Sequence, residues 1–147
     1  ADLWRLLVLH KFGGVYLDID AHQIWPLSCV LGTERDELYV TTRRGELSNY
    51  FIVSRPGNPN IARLIERVVE NIQENTLTNV FEITGPGVFI KLLDQNEVPT
   101  VSYRHAVHQG SFTNEHFQYI DKIEGKWNHQ QRSTAVIAPD DKESQQA

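Results

Sequence analysis

Two aspartates one residue apart, Asp18 and Asp20, close the run Gly13-Gly14-Val15-Tyr16-Leu17-Asp18-Ile19-Asp20. Alternate residues of a strand face one side, so this spacing turns both carboxylates the same way while Ile19 packs inward. On an extended strand their Cα atoms stand about 7 Å apart. At an effective dielectric of about 20, charges at that distance repel by roughly 2 kcal/mol. A dication removes the repulsion, and two carboxylates with waters and substrate phosphates are a usual Mg²⁺ or Mn²⁺ ligand set. The spacing alone is weak, because a bare Asp-x-Asp is more often a solvated strand end. Its context adds weight. The pair follows Val15-Tyr16-Leu17, read as a buried strand, and the carboxyl end of a strand is where α/β folds place ligands.

The elements that would position this pair follow from pattern. Asp2 to Phe12 reads as a helix with Leu3, Leu6, Leu7 and His10 on one stripe, stopped by Gly13. Val15 to Ile19 reads as a short strand after the glycine pair. Leu38 to Thr42 and Tyr50 to Ser54 read as strands, with a loop at Arg43-Arg44-Gly45-Glu46. Pro56-Gly57-Asn58-Pro59 is a turn, and Asn60 caps the helix announced by Ile61, Leu64, Ile65, Val68, Val69 and Ile72. Gly85-Pro86-Gly87 introduces a short helix over Val88 to Asp94, and Val98 to Tyr103 is a strand bent at Pro99. Periodicity fades after His105, and residues 140–147 are polar enough to be disordered. Alternating helices and strands predict an α/β sandwich.

Composition bounds the chemistry. The chain has 147 residues, 40% hydrophobic and 22% charged, which suits one globular domain with a core. A formal charge of -5 argues against a general nucleic-acid binder. No apolar run is long enough for a membrane span. The lone Cys29 excludes an internal disulfide framework and reads as a small buried hydrophobe, in keeping with a reducing compartment. With no methionine in the chain, residue 1 is not a translation start, and the chain is expected to be a fragment.

The block Asp2-x-x-Arg5, an apolar helix, then Gly13-Gly14-Val15-Tyr16-Leu17-Asp18-x-Asp20 closely resembles the DXD-containing sugar-nucleotide glycosyltransferases. That family includes fungal initiating mannosyltransferases, bacterial capsular sugar transferases and large clostridial glucosylating toxins. Asn49 to Asn60 and Thr84-Gly85-Pro86-Gly87 are similar as well, so the resemblance covers residues 1 to 95. It implies a Rossmann-like α/β sandwich of glycosyltransferase type A, truncated at its N-terminus and occupying residues 1–139. In that family the first strand-helix-strand unit, which binds much of the nucleotide, precedes the Asp-x-x-Arg segment.

The resemblance also implies roles. Asp20 would ligate Mn²⁺ (or Mg²⁺) directly, while Asp18 would meet the ribose and the metal's water shell. Asp2 and Arg5 would lie beside the nucleotide and the donor sugar, and Tyr16 beside the base or ribose. A guanidinium can bond hydroxyls or phosphate in a fixed fork, and the competing reading of Arg5 is a surface ion pair with Asp2. Asn49 is a candidate for hydroxyl recognition or merely ends a loop. Thr84-Gly85-Pro86 either shapes the acceptor side or is a helix-entry turn. His105 and His108 lack the spacing of a helical metal pair and read as solvated loop histidines. His108-Gln109-Gly110-Ser111-Phe112 only loosely matches the family's C-terminal segment, and Trp127-Asn128-His129 is either a stacking platform or core.

The implied reaction moves a sugar from a UDP- or GDP-sugar donor to a hydroxyl acceptor on a glycan, lipid or protein, with retention, as in polysaccharide biosynthesis. No nucleophile is assigned. Two alternatives stay open: a relic domain that binds metal or nucleotide sugar without turnover, and a metal-dependent phosphohydrolase with an aspartate nucleophile.

Overall fold

A long helix, α1 (Asp2–Phe12), runs into Gly13 and reverses at once into the strand β1 (Gly14–Leu17). The reversal requires glycine. Gly13 has φ of +66°, and a Cβ there would fall 2.6 Å from Pro56 Cδ and 2.9 Å from the Ser54 carbonyl oxygen. The computed structural model describes residues 1–32, 35–109 and 136–137.

The chain continues through β2 (Ala21–Gln23), α2 (Leu27–Leu31), β3 (Glu37–Thr41), β4 (Leu47–Ser54) and α3 (Pro59–Glu74). It then forms α4 (Val80–Ile83), α5 (Pro86–Leu92), β5 (Thr100–Ser102) and β6 (Val107–Gln109). The main sheet has the order β1-β4-β3-β5, antiparallel except for the parallel pair β3/β5. Strands β2 and β6 form a separate antiparallel ribbon. Among the described residues, no helix is long and apolar enough to cross a membrane.

Every residue of β4 is buried, because the strand is central and both faces of the sheet are covered. Alternation sorts its neighbours into two cores. Tyr39 and Ile52 join Leu6 and Leu9 of α1, Ile61, Leu64 and Val68 of α3, and Val88 and Phe89 of α5. Leu38, Val40, Phe51 and Val53 face the other way, onto Ala21, Val30, Ala106 and Val107. The result is the α/β sandwich expected from sequence.

Several local expectations need correction. On α1 it is Leu9, not Leu7, that is buried, since the face toward the sheet runs through Arg5, Leu6 and Leu9. The cap of α3 is Asn58, whose side chain accepts from the Asn60 and Ile61 amides at 2.8 and 3.3 Å. Asn60 instead donates to Glu37, which also accepts from Asn58 and from the Tyr39 hydroxyl. Helix α5 starts earlier than expected, with Pro86 at its first turn and Gly85 as cap. Cys29 is exposed on the short α2 rather than buried. Residues 140–147 and the Trp127-Asn128-His129 segment lie outside the described residues.

Candidate functional site

Asp18 and Asp20 do not lie on a strand. β1 ends at Leu17, and the Ala21 amide donates to the Asp18 carbonyl at 2.9 Å, folding Asp18 to Ala21 into a tight turn. The physical cause is the ribbon that follows: Ala21 must reverse to pair with Gln109, so the ladder with β4 cannot continue. Its last link is the Asp18 amide donating to the Tyr50 carbonyl at 2.9 Å. Ile19, expected to pack inward, is fully exposed at the turn's tip. Val15 and Leu17 are likewise partly exposed rather than buried, because β1 is the edge of the sheet.

Arg5 is the hub. Its side chain is 7% exposed and its guanidinium meets three partners. Nη2 lies 2.8 Å from Asp2 Oδ1, and Nη1 lies 3.0 Å from Asp18 Oδ1. Nη1 also donates to the Asn49 carbonyl at 2.6 Å. The expected alternative of an Asp2–Arg5 ion pair is therefore present, but it is buried and shared with Asp18 rather than superficial. Arg5 Nε is buried with no hydrogen-bond partner among the described residues.

Each neighbour is fixed in turn. The Tyr16 hydroxyl donates to Asp18 Oδ1 at 2.8 Å, and the Arg5 guanidinium carbon sits 4.4 Å above the Tyr16 ring. Asn49 Nδ2 donates to Asp2 Oδ1 at 3.1 Å, and Thr84 Oγ1 donates to Asp2 Oδ2 at 3.0 Å. Asn49 reaches this position because the β3/β4 register jumps there: Tyr39 pairs with Ile52, while the next residue, Val40, pairs with Ser48. The intervening residues have no opposite number on β3, which re-aims the Asn49 carbonyl toward Arg5. Thus Asp2, Arg5, Tyr16, Asp18, Asn49 and Thr84 form one connected network, while Asp20 stands apart on the turn.

Burial governs the electrostatics. It raises the Asp18 carboxyl above its ordinary value, and the opposing pull of Arg5 and of the Tyr16 hydroxyl does not fully offset it. Asp20 and Asp2 add repulsion in the same direction as burial. The Tyr16 phenol is pushed up to about 12 by burial first and by its bond to Asp18 second. Two hard carboxylates one residue apart on a turn fit a Mg²⁺ or Mn²⁺ ion that takes its other oxygens from phosphate and water. Among the described residues, no three His, Cys, Asp or Glu side chains converge into an all-protein metal cage.

The network borders a cavity of about 440 Å³, within the range of about 300–1,000 Å³ common for small-molecule sites. Asp2, Arg5, Asp18, Ser48 and Asn49 line it, together with Val80, Phe81, Gly85 and Pro86. Of Thr84-Gly85-Pro86, Gly85 and Pro86 thus both open α5 and line the cavity. His105 lies in a turn against Trp25, with ring centroids 5.3 Å apart. His108 is not in a loop: it lies on β6 opposite His22, its ring stacked on Tyr103 at 5.3 Å. The β2/β6 ribbon had no sequence signal, being three residues per strand without alternation.

Residues 1–39 match the family model described as the glycosyltransferase sugar-binding region containing the DXD motif. Toxin Afp18 of Yersinia ruckeri is 33% identical over 104 residues, which cover 67% of this chain. A toxin of Photorhabdus asymbiotica is 32% identical over 104 residues. This chain spans 5% and 3% of the lengths of those two relatives. Among solved structures, the PaToxG glycosyltransferase superposes with a TM-score of 0.54 at 30% identity. The superposition covers 65% of this chain and 34% of that one.

Proposed function

Because this chain belongs to the DXD-motif glycosyltransferases, we propose that it carries the metal and donor-sugar part of a site that transfers a sugar from a nucleotide-diphosphate donor to a hydroxyl acceptor. The observation that carries the reading is the Arg5-clamped Asp18 at the border of a small-molecule cavity, with Asp20 presented on the adjoining turn. Asp18 and Asp20 would hold Mn²⁺ or Mg²⁺. The cation, when bound, neutralises charge on the departing diphosphate, so no protein acid is needed on the leaving group.

The remaining roles belong to the chain itself. Arg5 and Tyr16 hold Asp18 Oδ1 in one orientation, so the carboxylate is set before the ligand arrives. Asp2, held by Arg5, Asn49 and Thr84, offers its carboxylate to sugar hydroxyls at the cavity wall. Retention of anomeric configuration and a UDP- or GDP-sugar donor complete the reading, by likeness to the family. A phosphohydrolase is disfavoured because Asp18 Oδ1 is already tied to Arg5 and Tyr16, a poor arrangement for a nucleophile.

Calorimetry with Mn²⁺ tests the metal site: wild type binds and Asp20→Ala does not. Equal binding by both would sink the proposal. Incubation with UDP- and GDP-sugars, followed by NMR of the released sugar, tests donor class and stereochemistry. An inverted product would overturn retention alone.

A further inference from the structure

Beside the cavity at Asp18 lies a second hollow of about 330 Å³ for which the metal and donor chemistry has no use. Glu46, Leu47, Ile90, Leu93, Asp94 and Gln95 line it. The two hollows share their elements. On β4, Ser48 lines the first and its neighbour Leu47 lines the second. On α5, Pro86 lines the first and Ile90 the second, a rise of about 6 Å along the helix axis. The second hollow therefore continues the first along the seam between β4 and α5.

Its lining combines apolar surface with one sign of charge. Leu47 and Leu93 are buried, while Ile90 stays 40% exposed and within reach of a ligand. The charged side chains of the lining are both exposed carboxylates, Glu46 and Asp94. Asp94 Oδ1 accepts from the Asn96 amide at 2.8 Å and from Asn96 Nδ2 at 3.0 Å, which fixes its position. Among the described residues, neither carboxylate has an ion-pair partner. Lys91, next to Ile90, is taken up by Glu82 at 3.1 Å. Arg43 and Arg44, on the turn before β4, line no part of the hollow.

Apolar surface beside carboxylates suits a lysine or arginine side chain, whose methylene stem seeks cover while its charged head stays in water. A glycan fits less well, because the lining offers no aromatic ring on which its C–H face could lie. An extended peptide advances about 3.3 Å per residue. A hydroxyl held in the first cavity thus sets the residue two or three positions away over the second. The formal charge of -5 favours the approach of a cationic segment.

Resting on the donor-site reading above, we infer that the acceptor is an extended polypeptide running along this seam. Glu46 and Asp94 select a Lys or Arg two or three residues from the hydroxyl that receives the sugar.

The test titrates the full chain against fluorescein-labelled Gly-Ala peptides and follows anisotropy. Each peptide has a central Ser and, three positions to either side, Lys, Gln or Glu; labelled maltotetraose stands for a glycan acceptor. Wild type binds the Lys peptide about tenfold tighter than the Gln peptide, and the Glu peptide more weakly still. Glu46→Gln cuts the preference for Lys by about threefold, the size of one exposed pair, and leaves the Gln peptide unmoved. Glu46→Lys turns the preference toward the Glu peptide. A merely structural Glu46 would shift all three peptides together, which would overturn the inference. Equal binding of the Lys and Gln peptides by wild type would do the same, as would tighter binding of maltotetraose than of the Lys peptide. Titration of the same samples with UDP-glucose and Mn²⁺ keeps the two readings apart. Donor binding without a preference for Lys sinks this inference alone. A preference for Lys without donor binding removes the donor-site reading, and the acceptor role falls with it.

Discussion

Arg5 Nη1 stands 3.0 Å from Asp18 Oδ1, so one buried charge pair joins the first turns of α1 to the end of β1. The same guanidinium holds Asp2 at 2.8 Å and the Asn49 carbonyl at 2.6 Å. Helix, edge strand and central strand thus meet on a single side chain. Whatever the turn carboxylates bind, they bind from a scaffold whose orientation Arg5 sets.

Removing Arg5 should therefore unfold more than a surface contact would. Arg5→Ala leaves two largely buried carboxylates facing each other without a cation, and a cost of about 3 kcal/mol is expected. Urea denaturation measures it. A loss below about 1 kcal/mol, the range of an exposed pair, would show that the cluster is solvated in solution.

Asp20 predicts the opposite pattern. It makes no hydrogen bond or ion pair within the described residues, so Asp20→Asn should change stability by less than about 0.5 kcal/mol. Mn²⁺ affinity should fall by more than about tenfold, the lower bound for loss of a mere outer-shell partner. Calorimetric titration and denaturation on the same variant separate the two effects. Unchanged Mn²⁺ affinity would remove Asp20 from the ligand set.

Alkaline stability reports on the second core. The Tyr50 hydroxyl donates to the Val107 carbonyl at 3.1 Å, and burial pushes its phenol up to about 12. Its pKa is raised on folding, so its contribution is complete below about 10, where the unfolded phenol starts to ionise. It is lost as pH rises from about 10 to about 12, because the unfolded chain sheds the proton first. The fall attributable to this group is roughly 2–3 kcal/mol across that window. Tyr50→Phe should start about 1 kcal/mol lower at neutral pH and show a shallower alkaline decline. Parallel declines in both proteins would assign the effect to other groups.

How far the sequence discloses this architecture depends on the kind of signal each element carries. Helix α1 was readable to the residue, since its apolar run ends at a glycine whose φ of +66° the fold requires. Helix α3 and the strands β3 and β4 were readable from periodicity and from an unbroken apolar run. The network residues Asp2, Arg5, Tyr16, Asp18 and Asn49 were nameable because a family pattern holds them at fixed spacing. Their mutual contacts were not. Asn49 meets Arg5 only through the register jump opposite Tyr39 and Val40, which is a property of strand pairing rather than of local sequence. The turn at Asp18 to Ala21 was hidden for a similar reason: it is imposed by a ribbon partner at Val107 to Gln109, far along the chain. Thr84 was visible as a motif, yet its bond to Asp2 joins residues 82 positions apart. Phe81 had no signal beyond Gly85 and Gly87, the two glycines that pack on it.

Those glycines yield the last prediction. In a helix, Gly87→Ala would ordinarily gain roughly 0.5–1 kcal/mol from reduced backbone entropy. Here the added Cβ would stand 2.7 Å from the Phe81 oxygen, and that backbone cannot easily retreat. Helix α4 is pinned by the Asn79 cap and by Asn71 Nδ2, which donates to the Glu82 and Ile83 carbonyls at 3.2 and 3.0 Å. Overpacking should win, with a net loss of about 1–3 kcal/mol. Because the nearest obstacle is a backbone atom, the loss should persist in a Phe81→Ala background, where the ring is gone but the carbonyl remains. Denaturation of the single and double variants decides it. Full relief in the double variant would place the conflict on the aromatic ring instead, and a stabilised Gly87→Ala would show that α4 yields.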